Sequence, residues 1–289
     1  MLFRSLSNVE KYFRGNEKLE IFVEGAEFLD VSIRIDNESY VETTDENGFI
    51  YLDVSSLSAG EHEVLISIPG TDSSTRFKIT VATSIEANDM KRAYLSEKDF
   101  EARFYDADGG LLINETVLFS INGVDYYFKT NDYGYVKFSR KLPVGEYEVN
   151  ILNPRTGESA VKKLTIVKRI SDNKNIAMDY EDGTSYKIRV YSDDSCSAAA
   201  GEKVKITVGG VTVFVLTDKN GYASYKINLK PGTYTITAEY RNVKVSNKVI
   251  VKSILKTKNI SKKKAKKIKF SATLKNSKGK ALADRKSVV

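Results

Sequence analysis

Thr217-Asp218-Lys219-Asn220-Gly221-Tyr222-Ala223-Ser224-Tyr225, followed by Lys230-Pro231-Gly232-Thr233-Tyr234, is the third of three matching stretches in this chain. The first is Thr44-Asp45-Glu46-Asn47-Gly48 with Ala59-Gly60-Glu61-His62. The second is Thr130-Asn131-Asp132-Tyr133-Gly134 with Val144-Gly145-Glu146-Tyr147. The paired glycines fall at 48 and 60, 134 and 145, and 221 and 232, in steps of 85 to 87 residues. So long a period marks tandem domains, since each copy is large enough to bury its own core. We read Asn47, Gly48, Gly60, Gly134, Gly145, Asn220, Gly221 and Gly232 as turn residues, with Gly48 taking the positive φ that side chains disfavour. Asp45-Glu46-Asn47-Gly48 reads as a hairpin turn between two strands.

Outward from these turns the sequence alternates. Phe100, Ala102 and Phe104 point one way, with Glu101 and Arg103 opposite; Tyr186, Ile188 and Val190 do the same around Lys187 and Arg189. Phe28 to Ile35, Ile50 to Val54 and Tyr234 to Tyr240 repeat the two-residue period. No stretch carries a helical stripe. The expected fold is all-β: tandem Ig-like β-sandwich domains of about seven antiparallel strands each, in an elongated array with a truncated fourth repeat. We place the repeats at 1–83 (the most divergent), 84–169, 170–254 and 255–289, the last being the lysine-rich start of a fourth copy. That half-repeat is expected to be frayed or loosely packed on the third.

Charge is unevenly spread. Residues 253–289 hold thirteen Lys or Arg against one Asp, which leaves 32 basic and 37 acidic residues in 1–252. The body is therefore slightly acidic, and nucleic acid is not an expected partner. A single cysteine, Cys196, excludes an internal disulfide framework. No apolar run is long enough to span a membrane as a helix. Met1 to Leu6 lacks the apolar core of a signal peptide, so the chain is either cytosolic or an interior piece of a longer exported precursor; the half-repeat at the C-terminal end favours the piece, extracellular or on the cell surface.

The pattern Thr-Asp-x-Asn-Gly, then a strand, then Pro-Gly-x-Tyr-x-Ile-x-Ala resembles the bacterial-type Ig-like repeat. More narrowly, it is similar to the tandem repeats of adhesin-like surface proteins of methanogenic archaea. Thr217 to Gly221, Leu229 to Ala238 and Val245-Ser246-Asn247 carry the likeness best; the first copy, with Ser58-Ala59-Gly60-Glu61-His62, departs furthest. The resemblance implies a non-enzymatic adhesin-like segment without cofactors, its modules forming a stalk and an adhesion surface. It implies as partner a cell-wall polymer, a glycan or a surface protein of another cell. A pure spacer, or an accessory module of a larger secreted enzyme, is the alternative. The turn pair also resembles collagen-adhesin B-type and transthyretin-like modules, some of which carry a Lys–Asn isopeptide staple. Lys187 and Asn247 would be its members, with Arg103 at the Lys187 position in the second copy, but Lys187 alternates toward solvent.

Candidate chemistry is thin. His62, the sole histidine, occupies the slot of Tyr147 and Tyr234, which is a structural place and not that of a general base. Asp45, Asp132 and Asp218 beside the turn glycines lack the ligand spacing of a Ca²⁺ loop and suit side-chain turn bonds instead. Asn37, Asn114 and Asn259 begin glycosylation sequons. Lys262, Lys263, Lys264, Lys266 and Lys267 form the densest charge run, suited to an anionic surface.

Overall fold

A computed structural model describes residues 8–193, 197–257, 272–275 and 280–281, and every regular element among them is a β-strand. In the first repeat the strands are β1 (Val9–Tyr12), β2 (Lys18–Phe22), β3 (Asp30–Ile35), β4 (Glu38–Thr43), β5 (Phe49–Asp53), β6 (Gly60–Ser67) and β7 (Ser74–Ala82). The second holds β8 (Ile85–Ala87), β9 (Met90–Ala93), β10 (Phe100–Phe104), β11 (Thr116–Ile121), β12 (Val124–Lys129), β13 (Tyr135–Phe138), β14 (Gly145–Leu152) and β15 (Ser159–Val167). The third holds β16 (Ile170–Ser171), β17 (Ile176–Asp179), β18 (Ser185–Val190), β19 (Lys203–Val208), β20 (Val211–Leu216), β21 (Tyr222–Lys226), β22 (Gly232–Tyr240) and β23 (Val243–Lys252). β24 (Leu255–Thr257) and β25 (Ala272–Leu274) follow.

One plan recurs. A five-stranded sheet, β17-β23-β22-β19-β20 in the third repeat, faces a smaller one, β16-β18-β21. The corresponding pairs are β9-β15-β14-β11-β12 with β8-β10-β13, and β1-β7-β6-β3-β4 with β2-β5. In the second and third repeats the opening strand is divided between the two sheets, and in the third its second half runs parallel to the last strand, β17 beside β23. Near the start of β22 the Tyr234 hydroxyl donates to Lys230 O, four residues upstream, at 2.9 Å. This corner, with two packed and mostly antiparallel sheets in that order, is the build of an immunoglobulin-like sandwich. The modules are tandem Ig-like sandwiches.

Alternation decides which residues go inside. β3 buries Val31, Ile33 and Ile35 while β6 sends in His62, Val64 and Ile66. In the third repeat Tyr186, Ile188 and Val190 meet Ile206, Ile236, Ala238 and Val249. Burying each such aliphatic side chain contributes about 1.5–3 kcal/mol, offset largely by chain entropy. The second core is aromatic: Phe119 lies 6.1 Å from Phe100 and 5.4 Å from Phe128.

Three expectations change. Asp45 to Gly48 does not close a hairpin, because β4 belongs to the large sheet and β5 pairs with β2. The turn carries the chain from one sheet to the other, and the matching turns at 131–134 and 218–221 do the same. The strand expected from Phe28 begins at Asp30; Phe28 is exposed at φ 53° and the chain pairs earlier, through β2. Arg103 does not correspond to Lys187. Phe104 and Val190 each donate N–H to the turn glycine's carbonyl, at Gly134 and Gly221, which aligns Arg103 with Arg189.

The described part of the fourth repeat is a two-stranded sheet, with Leu255 opposite Leu274 as Ile170 is opposite Val190. The chain divides into two compact units. One comprises Met1–Met90, Asp99–Ser139 and Glu146–Leu164; the other comprises Lys91–Lys98, Arg140–Gly145 and Thr165–Val289.

Candidate functional site

Each letter of the repeated turn has a physical task. Asp45 Oδ1 accepts from Asn47 N at 2.8 Å and Phe49 N at 2.9 Å; Asp218 does the same for Asn220 and Tyr222. In the second repeat the acceptor is Asn131, which takes Tyr133 N and Tyr135 N, and not the neighbouring Asp132. These carboxylates and amides thus hold backbone N–H groups, as side-chain turns require. The first glycines, Gly48, Gly134 and Gly221, have φ of 85°, 73° and 76°. A Cβ there would lie 2.7, 2.8 and 2.7 Å from Val23 O, Phe104 O and Val190 O respectively. The second glycines, Gly60, Gly145 and Gly232, are the first residues of β6, β14 and β22. The leading threonines are buried as well. Thr217 Oγ1 accepts from Glu202 N at 2.9 Å and donates to Ala199 O at 2.6 Å, and Thr44 makes the same pair of bonds to Leu29 N and Ala26 O.

His62 replaces the corner tyrosine. Its Nε2 lies 2.8 Å from Ser58 O, four residues upstream, and Nδ1 lies 2.7 Å from Asp36 Oδ2. Burial pulls the imidazole pKa down, but the Ser58 carbonyl and the Asp36 carboxylate outweigh it and the net shift is upward. Asp36 is held below the usual carboxylate range by His62 and by the Glu63 N–H. Acceptors at both ring nitrogens favour the protonated imidazole and leave neither nitrogen free to take a proton.

Sequence reasoning missed the buried cations, because Lys and Arg read as surface residues. Lys11 Nζ donates to Gly15 O and Val54 O at 3.2 and 3.1 Å, and Arg92, at the equivalent place, donates to Lys98 O and Arg140 O. Met178 fills that position in the third repeat. Arg169, 1% exposed, donates Nε to Tyr94 O at 2.8 Å and pairs with Asp193, which also takes Arg241 Nη1 at 2.5 Å. Burial alone would raise the Asp193 pKa; the two guanidiniums reverse that and lower it. Ser84, fully buried, hydrogen-bonds Thr156 and Glu158, whose Oε2 also accepts its N–H at 2.6 Å.

The remaining candidates lie outside. Asn37 is exposed in the two-residue turn between β3 and β4, and Asn114 is exposed at φ 54° before β11. Asn259, Lys262–Lys264, Lys266, Lys267 and Cys196 lie outside the described residues. Lys187 is exposed, while Asn247 accepts from the Tyr186 hydroxyl at 2.8 Å, so the two are not set up for a staple. Burial pushes that hydroxyl's pKa up to about 12. Among the described residues no three His, Cys, Asp or Glu side chains cluster to hold a metal ion. No helix among them is long and apolar enough to cross a membrane. An open concavity of about 630 Å³ in the first repeat is lined by Arg34, Asn37, Glu63, Arg76 and Lys78.

Strongly apolar side chains stand on the edges of the large sheets. Val41 on β4, Tyr127 on β12 and Phe214 on β20 are 67%, 67% and 62% exposed. On the small sheets Arg103 and Arg189 lie over tyrosine rings, Tyr105 and Tyr135 in one repeat and Tyr191 and Tyr222 in the other, at 5.1–5.5 Å.

No family model matches the chain, and no curated protein matches it by sequence. Among solved structures it is similar to the I9–I11 tandem of titin, at 15% identity and TM-score 0.30, covering 87% of this chain and 99% of that one. A 1.5-MDa bacterial ice-binding adhesin is similar at 14% identity and TM-score 0.25, with 84% and 94% covered. The Bacteroides ovatus mixed-linkage glucan utilization protein SGBP-B, in complex with a heptasaccharide, is similar at 17% identity and TM-score 0.24, with 88% and 67% covered. Superpositions this loose carry no functional argument, and the Ig-like assignment stands on strand order and the tyrosine corner.

Proposed function

We propose that the chain is a non-enzymatic, extracellular segment of an adhesin-like surface protein, of the kind carried by archaeal surface proteins. Its Ig-like modules would serve as stalk and adhesion surface. The observation that carries this reading is where the repeats agree. The buried threonine, the side-chain turn and the close-packed glycine recur in all three copies, whereas the exposed edge strands differ: Glu-Ser-Tyr-Val-Glu-Thr, Val-Asp-Tyr-Tyr-Phe-Lys and Val-Thr-Val-Phe-Val-Leu. A repeated scaffold with varied outer edges suits surface recognition, and the buried Lys11, Arg92 and Arg169 are bound to backbone carbonyls.

The partner on this reading is a cell-wall polymer, a glycan or another cell's surface protein. Lys262, Lys263, Lys264, Lys266 and Lys267 contact an anionic surface, and Asn37, Asn114 and Asn259 are glycan acceptors. The folding modules are 1–83, 84–169 and 170–254, with 255–289 opening a fourth. The test is binding of the full chain, and of a variant with those five lysines replaced by glutamine, to isolated cell walls across a salt series. Salt-resistant binding that survives the replacement supports adhesion through the sandwiches. Binding abolished by both leaves the modules as spacers beside an electrostatic anchor. No binding under any condition overturns the adhesion reading.

A further inference from the structure

Each large sheet ends in a strand paired on one side only: β4, β12 or β20. Such an edge presents a row of unmet N–H and C=O groups, and its side chains decide what joins it. In β12 the ladder to β11 is closed by Thr130 N–H donating to Glu115 O, with Phe128 opposite Val117 and Tyr126 opposite Phe119. Antiparallel pairing turns both backbone groups of alternate residues toward the partner. Thr130, Phe128 and Tyr126 therefore face β11, and Lys129, Tyr127 and Asp125 turn theirs outward. The side chains of this outward trio are all exposed, on the sheet's solvent face. On the opposite face Tyr126 and Phe128 pack on Phe138 with ring centres 5.4 and 6.0 Å apart, which anchors the strand to the core.

The trio is its own complement. Turned antiparallel about Tyr127, a second β12 sets Tyr127 against Tyr127, Asp125 against the second copy's Lys129, and Lys129 against its Asp125. All three are hydrogen-bonded pairs, with opposite charges directly across the ladder. The other edges lack this code. The outward Ser39, Val41 and Thr43 of β4 are interleaved with the exposed carboxylates of Glu38 and Glu42, which repel a second copy. Thr212, Phe214 and Leu216 of β20 carry no charge to set a register. Asp125 makes no ion pair among the described residues, and Lys129 reaches only a long 3.5 Å contact with Asn114 Oδ1, so both charges are free to be matched.

We propose that β12 is a homotypic edge, through which two copies of this chain join antiparallel over Val124–Lys129. The occupant is a second copy, and the interaction is separate from whatever the chain adheres to. One strand pair falls below the roughly 1,200 Å² of a standard interface, so the association is weak and operates where copies are crowded on a surface.

The test is sedimentation equilibrium of the full chain, made without glycosylation because Asn114 adjoins Lys129, at low and high salt. Wild type, D125K, K129D and an equimolar mixture of the two variants are compared. Either reversal turns two attractions into two repulsions and is expected to weaken dimerisation about tenfold or more. In the mixture, both charged positions of the trio are lysine in one variant and aspartate in the other, so every cross-strand pair is again opposite in sign. The mixture is therefore expected to regain wild-type affinity within a few-fold. A wild type still monomeric at about 1 mM overturns the proposal, since binding weaker than that is worth less than about 4 kcal/mol. So does unchanged dimerisation by the single variants, which would move the contact elsewhere, or a mixture that fails to recover. Circular dichroism of each variant separates loss of pairing from loss of fold.

Discussion

A methyl group at Gly221 would stand 2.7 Å from Val190 O on a backbone whose φ is 76°. Gly221→Ala therefore strains both the turn and the strand it touches. The expected cost is about 1–3 kcal/mol, read from chemical denaturation. Gly232→Ala, at an ordinary φ with the movable Tyr234 ring as its nearest neighbour, is expected to cost less. His62 sets a pH dependence. Its folded pKa is raised, so the stability it contributes is full below about 6.5, its unfolded value, and is lost as pH climbs through the folded pKa. Thermal denaturation across roughly pH 5 to 8, the range in which histidine titrates, is expected to show that fall. His62→Tyr, which copies Tyr234, keeps a donor for Ser58 O and is expected to abolish the slope. A slope unchanged in that variant would place the titration elsewhere.

At the scale of elements, alternation was legible because a strand's period is read from its own residues. Phe100 to Phe104, Tyr186 to Val190 and Tyr234 to Tyr240 are strands for that reason. What a turn connects is not local. Asp45 to Gly48 has the composition of a hairpin, but the sheet that receives β5 is settled by β2, a pairing that spans some thirty residues. The same limit hid Arg169 and Lys11, which reach the distant carbonyls of Tyr94 and Val54. The turn acceptor of the second repeat is instead a local matter: Asn131, and not Asp132, stands where Asp45 and Asp218 do in the motif. Hydroxyl and glycine positions of the repeated motif were visible; the carbonyls they press against were not. Among the edge strands, β20 is the most exposed to misuse, being apolar at five of six positions. Phe214→Lys places a gatekeeper charge at its centre. Light scattering on heating is expected to show less aggregation, with stability unchanged within about 0.5 kcal/mol. Equal aggregation would acquit this edge.

Across the whole molecule the compact units do not follow the 85-to-87-residue period: Lys91–Lys98 and Arg140–Gly145 group with the third repeat. Arg169 is a tie between Lys91–Lys98 and the third repeat, since its buried guanidinium holds Tyr94 O and Asp193 together where the local dielectric is low. Arg169→Met is expected to cost about 3 kcal/mol, the low end for a broken buried pair, because Asp193 keeps Arg241. Native-state hydrogen exchange is the measurement. Faster exchange is expected in 91–98 and in β18 together, with the first repeat unaffected; acceleration confined to the third repeat would remove Arg169 as the tie. The parallel pairing of the first strand with the last has a mechanical consequence. β1 lies beside β7, and β17 beside β23, through four residue pairs each. Tension on the two ends of such a module slides one strand along the other, so these hydrogen bonds are loaded in shear and must rupture together. A hairpin pulled from its open end would surrender them singly. Modules paired in this way are built to bear a pulling load along their own strands.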